Sequence, residues 1–293
     1  MISNSLFFDL AGKTILFGTD FSPAANRALP NVTALARRFH CHLLVVHALS
    51  KSLAVEAEPE IPQRNDNQPG PEELQNKMRV LLASDALVGL SYEGIVRPGE
   101  VWSVVSEIVG EKGVVLVALG TRALGGWQKL LSGSVAEDLL RVVACPVMTI
   151  GPNVGDTPER FSRILYATDF HEASYRALPY ALALAQADEA SLTLLHVIPK
   201  AAASHEPLKL QEEYRKELAV LLPPESALRQ RVELTVELGV PAEQIVRKAD
   251  MCSADLIVLG AHPAGRIATY LASSTHYTLQ HAHCPVLTVR GNL

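Results

Sequence analysis

The chain has 293 residues, 48% of them hydrophobic and 19% charged, which is too apolar for a disordered chain and long enough for two domains of about 150 residues. Its 26 Lys and Arg against 31 Asp and Glu give a formal charge of -5, without the basic excess that phosphate-driven binding to nucleic acid uses, so nucleic acid is not expected as the main partner. Cys41, Cys145, Cys252 and Cys284 are too few and too scattered for a disulfide framework, none forms a C-x-x-C pair, and they read as reduced core thiols. The first twenty residues carry no basic n-region, and their apolar stretches are too short for a signal peptide or a membrane span. A soluble cytoplasmic protein without a membrane partner is the expectation.

In chain order, short aliphatic runs alternate with longer amphipathic stretches, the pattern of βαβ units and a parallel sheet. The first half predicts strands at Thr14 to Thr19, Leu43 to Leu49, Ser91 to Val96, Val114 to Leu119 and Val147 to Ile150. Helices are expected between them at Pro23 to Phe39, Pro71 to Leu87, Val101 to Glu111 and Ser134 to Val143. Ser22 before Pro23 suits an N-cap and N1 pair, because the hydroxyl accepts a free backbone N–H while proline has none to strand. Ser50 to Gly70 is polar and broken by Pro and Gly, and reads as a mobile surface loop, with a lid over the nearby pocket as the alternative. Gly151 to Phe161, rich in Gly, Pro and charge, reads as an exposed connection. It divides the chain into domains 1–151 and 162–293 with a linker over 152–161. The second half predicts strands at Ile164 to Thr168, Leu192 to Ile198, Val232 to Glu237, Leu256 to Leu259 and Val286 to Val289. Its helices are Ala173 to Gln186, Pro207 to Leu222, Ala242 to Cys252 and Ser274 to His281.

The halves are copies of one another. Ile15 to His47 lies over Ile164 to His196 without a gap, and Thr19, Asp20, Phe21, Arg27, Ala28, Leu29, Pro30 and His47 all meet identical partners. The dipeptides Cys145-Pro146 and Cys284-Pro285 coincide as well. Ligands of parallel sheets settle beyond the carboxyl ends of the strands, which singles out Gly18-Thr19-Asp20, His47-Ala48 and the segment from Gly120, with their counterparts in the second half. Gly120 to Ser134 is a glycine-rich loop that ends where a helix begins. Glycines let backbone amides approach an anion, the first turn of the helix offers free N–H groups, and Ser134 adds a hydroxyl. The same glycines would also serve ordinary turns.

The histidines invite a metal hypothesis, since His40-x-His42 enters a strand and would put both rings on one face. No Cys or carboxylate is placed to complete a site with these rings, so no metal site is expected. His47 and His196 occupy one repeat position and read as a strand-end hydrogen bond inherited by both copies. Trp127 reads as cover for apolar surface. No spacing points to a catalytic triad, G-x-S-x-G and Walker A loops are absent, and no catalytic residue is assigned.

The repeated T-D-F after the first strand, the His after the second, and a loop of the form G-x2-G-x9-G-S before a helix and C-P-V together resemble the universal stress protein family. The likeness spans Lys13 to Ile150 and Arg163 to Arg290. It implies an α/β fold of two repeated domains, each a five-stranded parallel sheet flanked by helices, Rossmann-like and of the adenine nucleotide alpha hydrolase type. It also implies a stress-response regulator, one branch of which holds ATP through the loop.

Carried over residue by residue, the adenine nucleotide site of the first half comprises Gly18, Thr19, Asp20, Ala48, Gly120, Ala123, Gly133, Ser134 and Val135, with Mg²⁺ accompanying ATP. Asp20 and Asp169 match the position beside the adenosine, where a carboxylate accepts from ribose hydroxyls; the alternative is a cap on the first helix. Ala48 and Val197 would offer backbone groups to the adenine edge. In the first half Ala123 replaces the second glycine of the loop, although Gly125 and Gly126 follow. In the second half Gly260 remains, but Pro263 takes the second glycine position and Ser273-Ser274 the G-S pair, so that site is expected to be lost or repurposed.

The leading expectation is therefore ATP binding through the first half only. The alternatives are a nucleotide-independent interaction scaffold and a slow ATPase. The apolar strands Val147 to Ile150 and Val286 to Val289 would be exposed edges in separate domains, so the halves are expected to associate edge to edge about a pseudo-twofold axis. A homodimer of the whole chain is a further expectation.

Overall fold

A computed structural model describes residues 10–49, 70–121, 135–155, 160–201, 206–261 and 268–291, without the side chains of 135–137 and 268–273. The first half runs β1 (Thr14–Gly18), α1 (Pro23–Arg38), β2 (His42–Leu49), α2 (Pro71–Leu82), β3 (Ser91–Pro98), α3 (Val101–Lys112), β4 (Val114–Gly120), α4 (Val135–Val142) and β5 (Val147–Ile150). The second repeats it as β6 (Arg163–Thr168), α5 (Glu172–Asp188), β7 (Ser191–Ile198), α6 (Pro207–Val220), β8 (Val232–Leu238), α7 (Pro241–Met251), β9 (Leu256–Ala261), α8 (Ala268–His281) and β10 (Val286–Arg290).

Local chemistry accounts for these elements. Four helices begin with proline in the first turn, where its missing N–H leaves no hydrogen bond unmade. The Ser22 Oγ accepts from the Ala25 N–H at 3.3 Å and caps α1. Glycine in the left-handed region, at Gly113 (φ 61°), closes α3. Where the sequence predicts α2 running on to Leu87, the helix stops at Leu82 and a 3-10 turn over Asp85–Leu87 follows, which sends Leu87 into the core at 1% exposure. His40 adopts φ 52° in the turn that closes α1, and β2 begins only at His42, whose Nδ1 lies 2.7 Å from the Ser91 Oγ. The expected pair of histidine rings on one strand face therefore does not form.

The ten strands make one sheet in the order β3-β2-β1-β4-β5-β10-β9-β6-β7-β8. Every pairing within a half is parallel, whereas β5 and β10 run antiparallel, with Met148 opposite Leu287 and Val147 opposite Thr288. This one antiparallel junction places the carboxyl ends of the two sets of parallel strands on opposite edges of the sheet.

Strand side chains alternate between faces. Ile15, Phe17 and Met148 share one continuous core with Ile164, Tyr166 and Leu287, covered by the alanine-rich faces of α1 and α5. On the other face the two halves keep separate cores, Leu16 and Val117 under α3 and α4, Leu165 and Ile257 under α7 and α8. The C-terminal ends of α1 and α5 meet in an ion pair between Arg38 and the fully buried carboxylate of Asp188, whose second oxygen accepts from the Phe161 N–H at 2.7 Å. Burial pushes the Cys145 thiol up to about 11 and the Cys284 thiol up to about 12, so both stay protonated and inert. Among the described residues no helix is long and apolar enough to cross a membrane.

Candidate functional site

In each half the first strand lies between the second and the fourth, and the chain leaves these strands toward opposite faces of the sheet. Gly18 is paired with Val46 on one side and Leu119 on the other, and the Thr19 N–H donates to the Val46 carbonyl at 2.9 Å. α1 then packs on the shared face and α4 on the other, which makes the point between β1 and β4 the topological switch where ligands usually sit in such a sheet. Gly18, Thr19, Asp20 and Gly120 come together at this edge, with Ala48 half-buried near the end of β2. Val135 is the first residue of α4. Ala123, Gly133 and Ser134, together with Trp127, lie outside the described residues, as do residues 50–69 of the expected surface loop.

The T-D-F segment is a backbone device in both copies. The Thr19 Oγ1 accepts from the Phe21 N–H at 3.0 Å and the Asp20 Oδ1 from the Ser22 N–H at 2.9 Å. Thr168 and Asp169 repeat these bonds to Phe170 and His171, both at 3.0 Å. The two consecutive turns hold Phe21 at φ 58° and Phe170 at φ 60°, a left-handed conformation that costs a bulky residue about 1–2 kcal/mol. The phenyl ring offsets part of that cost by packing on the histidine from the second strand, with ring centroids 4.7 Å apart in each half. Each histidine in turn reaches the threonine carbonyl, His47 Nδ1 to Thr19 at 2.8 Å and His196 Nδ1 to Thr168 at 2.9 Å, the strand-end hydrogen bond expected for both. A carbonyl can only accept, so Nδ1 carries the proton. Asp20 thus shapes the turn before α1 while Ser22 is the helix cap, and Asp20 stays exposed beyond the end of β1.

Gly120 and Gly260 owe their identity to packing. A Cβ on Gly120 would lie 2.5 Å from the Ala24 carbonyl oxygen, and one on Gly260 would lie 2.3 Å from backbone atoms of Ala173 and Ser174. These strands end against the first turn of the helix that follows the first strand of their own half, so no side chain fits. The first glycine of each loop is therefore explained without an anion.

At the matching edge of the second half, the described residues enclose a cavity of about 310 Å³ at the ends of β6, β7 and β9, where the sequence suggests a lost or repurposed site. Leu195, Val197, Pro241, Ile245 and Leu259 form apolar walls, and Thr168, Asp169, His171, Ser174, His196, Tyr214, Ser274 and Thr275 supply the polar atoms. The Tyr166 hydroxyl donates to the Ser174 carbonyl at 2.7 Å, and the Ser174 hydroxyl donates to Asp169 Oδ1 in a short bond. The His196 ring lies 4.7 Å from that of Phe170 and 4.3 Å from that of Tyr214 on α6, and is 8% exposed. Burial lowers its pKa below the ordinary histidine value, against the raising effect of its bond to Thr168, so the ring is neutral at pH 7.

Sequence reasoning missed Tyr166, Ser174 and Tyr214. The first two stand where the first half has Phe17 and Ala25, a difference the repeat alignment contains, since two hydroxyls at matched apolar positions signal an added network. Tyr214 left no such signal, because its contact with His196 depends on how α6 docks.

The profile of the Universal stress protein family matches residues 12–151 and again 160–290. A universal stress protein of Mycobacterium tuberculosis is 29% identical over 297 residues, covering 95% of this chain and 97% of its own length. One from Thermus aquaticus is 30% identical over 142 residues, which is 47% of this chain and 98% of that protein. Among solved structures, that of a universal stress protein from Archaeoglobus fulgidus superposes with a TM-score of 0.67 at 21% identity, over 94% of this chain and 98% of the other, a likeness of fold.

Proposed function

This chain belongs to the universal stress protein family as a tandem of two such domains, and on that premise we propose that it is a cytoplasmic stress-response regulator whose first half binds ATP. Supporting this reading above all is the switch point between β1 and β4, where the exposed Asp20 stands at the ends of β1 and β2 beside Gly120, from which the sequence runs on to Gly133, Ser134 and Val135 at the start of α4. In this reading Asp20 accepts from the ribose hydroxyls, backbone groups at Ala48 meet the adenine edge, and Gly133 and Ser134 with the α4 N-terminus hold the phosphates. Ala123 leaves a side chain where the family's loop has glycine, so affinity is modest. Mg²⁺ would enter with the triphosphate, for which Ser132 and Ser134 supply hydroxyl oxygens. Nucleotide occupancy is the signal, and the protein is not an enzyme in this account.

Titration calorimetry on the intact chain tests it. ATP binds the unaltered protein, Gly133→Asp abolishes binding by placing a side chain and a negative charge against the phosphates, and Ser273→Asp leaves ATP binding unchanged. Equal losses from both variants, or no binding by the unaltered chain, would favour a scaffold that works through its surfaces alone.

A further inference from the structure

We infer that two copies of this chain associate through the outer edge of the first half, β3 pairing antiparallel with β3 of the second copy, so that two ten-stranded sheets become one. The inference concerns the rim of the sheet and does not require the first half to bind ATP.

The sheet ends in β3 on one side and in β8 on the other, and the two edges differ. An edge strand presents a row of backbone N–H and C=O groups that another strand can take. In the second half the Gly239 N–H donates to the Ile198 carbonyl, so the odd-numbered residues of β8 turn their backbone groups toward β7 and the even-numbered ones outward. The outward carbonyl of Val236, near the middle of that edge, accepts from Gln211 Nε2 on α6 at 3.1 Å. Glu233 and Glu237 are the charged residues of β8 and stand on either side of Thr235. A second β8 running antiparallel about Thr235 would set glutamate against glutamate, so this edge is closed to a copy of itself.

β3 follows the same plan with two changes. The Gly99 N–H donates to the Leu49 carbonyl as Gly239 does to Ile198, which matches Val96 to Val236, Glu93 to Glu233 and Arg97 to Glu237. The Val96 carbonyl accepts from no side chain among the described residues, and the strand is the more open of the two, with Ser91, Tyr92, Glu93 and Gly94 all exposed. The second change is the sign of the charge at Arg97.

Hydrogen-bond polarity and charge then select one register. The outward backbone groups of β3 belong to Tyr92, Gly94, Val96 and Pro98, so an antiparallel copy must bond to these. With the twofold axis at Ile95, Gly94 of each copy exchanges bonds in both directions with Val96 of the other, and Glu93 lies opposite Arg97. The Glu93–Arg97 and Ile95–Ile95 pairs fall on the sites without hydrogen bonds, where Cα atoms are about 4.5 Å apart and side chains are closest. Moving the axis to Gly94 or Val96 sets both charges against uncharged residues.

The flanking helix agrees with this register. Within one chain Lys112 Nζ lies 3.2 Å from Glu93, and Arg97 Nη2 lies 3.0 Å from Glu111, both on the α3 side of the sheet. Pairing the edges strings these groups into Lys112–Glu93–Arg97–Glu111, with the sign alternating across the contact. Exposed pairs of this kind set register more than affinity, which comes from the backbone bonds and from Ile95 and Tyr92. Because β8 cannot repeat the contact, association closes at a twofold dimer and does not run on into a fibre.

Sedimentation velocity on the full chain without nucleotide, over an about hundredfold range of concentration, is the test. The unaltered protein is expected to form a dimer. Arg97→Glu and Glu93→Arg should each weaken self-association at least about tenfold, because symmetry places two like-charge pairs in every interface. An equimolar mixture of these two variants should recover the dimer, since each offers the charges that the other lacks. Ile95→Cys, on the axis, should cross-link under mild oxidation, whereas Glu93→Cys, about 13 Å from its counterpart, and the unaltered chain should not. Far-ultraviolet circular dichroism confirms that each variant is folded. The inference is overturned by a chain that stays monomeric at the highest concentration, by a dimer that both charge variants leave as strong, or by a mixture that associates no better than its components. Cross-linking of Glu93→Cys as readily as Ile95→Cys would likewise overturn it.

Discussion

Replacing Gly260 by alanine probes the close contact on which the second cleft is built. The added Cβ would lie 2.3 Å from Ala173 C and Ser174 N and 2.6 Å from the Ala173 carbonyl oxygen. Ordinary carbon contacts are about 3.5–4.0 Å, so the end of β9 and the first turn of α5 must part by more than about 1 Å. Both sides of the contact are backbone, one in the sheet and one in a helix that packs on it, so no rotamer change relieves the clash. Overpacking of a rigid site costs about 1–3 kcal/mol, and the upper end applies here. Gly110→Ala is the matched control: it lies within α3 with nothing inside 4 Å of the new Cβ, and should stabilise by about 0.5–1 kcal/mol through helix propensity. Urea denaturation of the two variants and the parent, at constant m-value, measures both effects. A Gly260→Ala protein within about 0.5 kcal/mol of the parent would refute the claim that backbone proximity dictates this glycine.

His196 is buried and neutral, with its folded pKa depressed below the ordinary value of about 6.5, so its contribution is present above that pH and is lost as pH falls through the folded pKa. The stability difference between the parent and His196→Asn should accordingly shrink between pH 7.5 and pH 5, by at most about 1.4 kcal/mol per pH unit, and a difference independent of pH would contradict this. Asp188→Ala takes the buried carboxylate away from Arg38, which keeps its bond to the Ala187 carbonyl, and should cost about 3–5 kcal/mol in thermal or urea unfolding; a neutral effect would mean that the ion pair does not hold α1 to α5. ATP hydrolysis should stay below about one turnover per minute, because Arg122 and Lys129 are the cations of the first-half loop and the loop from Gly120 to Ser134 contains no carboxylate to hold Mg²⁺ or to orient water. Phosphate release faster than about one per second, lost in Asp20→Asn, would make the protein an enzyme.

Much of the architecture is legible before any coordinates, for physical reasons. Aliphatic runs such as those of β4 and β9 are bounded by glycine and polar residues, and Pro23, Pro71, Pro207 and Pro241 mark helix starts because proline suits the first turn, whereas Pro30 and Pro179 lie inside α1 and α5. Boundaries fail where tertiary demands prevail. α2 stops at Leu82 because a turn is needed to bury Leu87, and α8 begins at Ala268 rather than Ser274, since Ala268, Leu271 and Ala272 are strong helix formers that repeat alignment alone undervalues. At the site, the repeated T-D-F and histidine are plain in the sequence, but their division of labour is not. That Thr19 and Asp20 serve backbone amides, and that Gly120 is dictated by the carbonyl of Ala24, depends on the approach of α1 to the strand ends. The second-half cavity was hidden more deeply, because loop glycines report on phosphate whereas the cavity is made by Ser174, His196 and Tyr214 from three separate elements.

The most direct test of the central claim is the structure of the full chain crystallised with a non-hydrolysable ATP analogue. The account predicts one analogue per chain at the switch point between β1 and β4, its ribose beside Asp20 and its phosphates at Gly133, Ser134 and the start of α4, with no triphosphate in the cavity beside Asp169 and His196. A triphosphate in the second half, or an empty first-half site at saturating analogue, would contradict it.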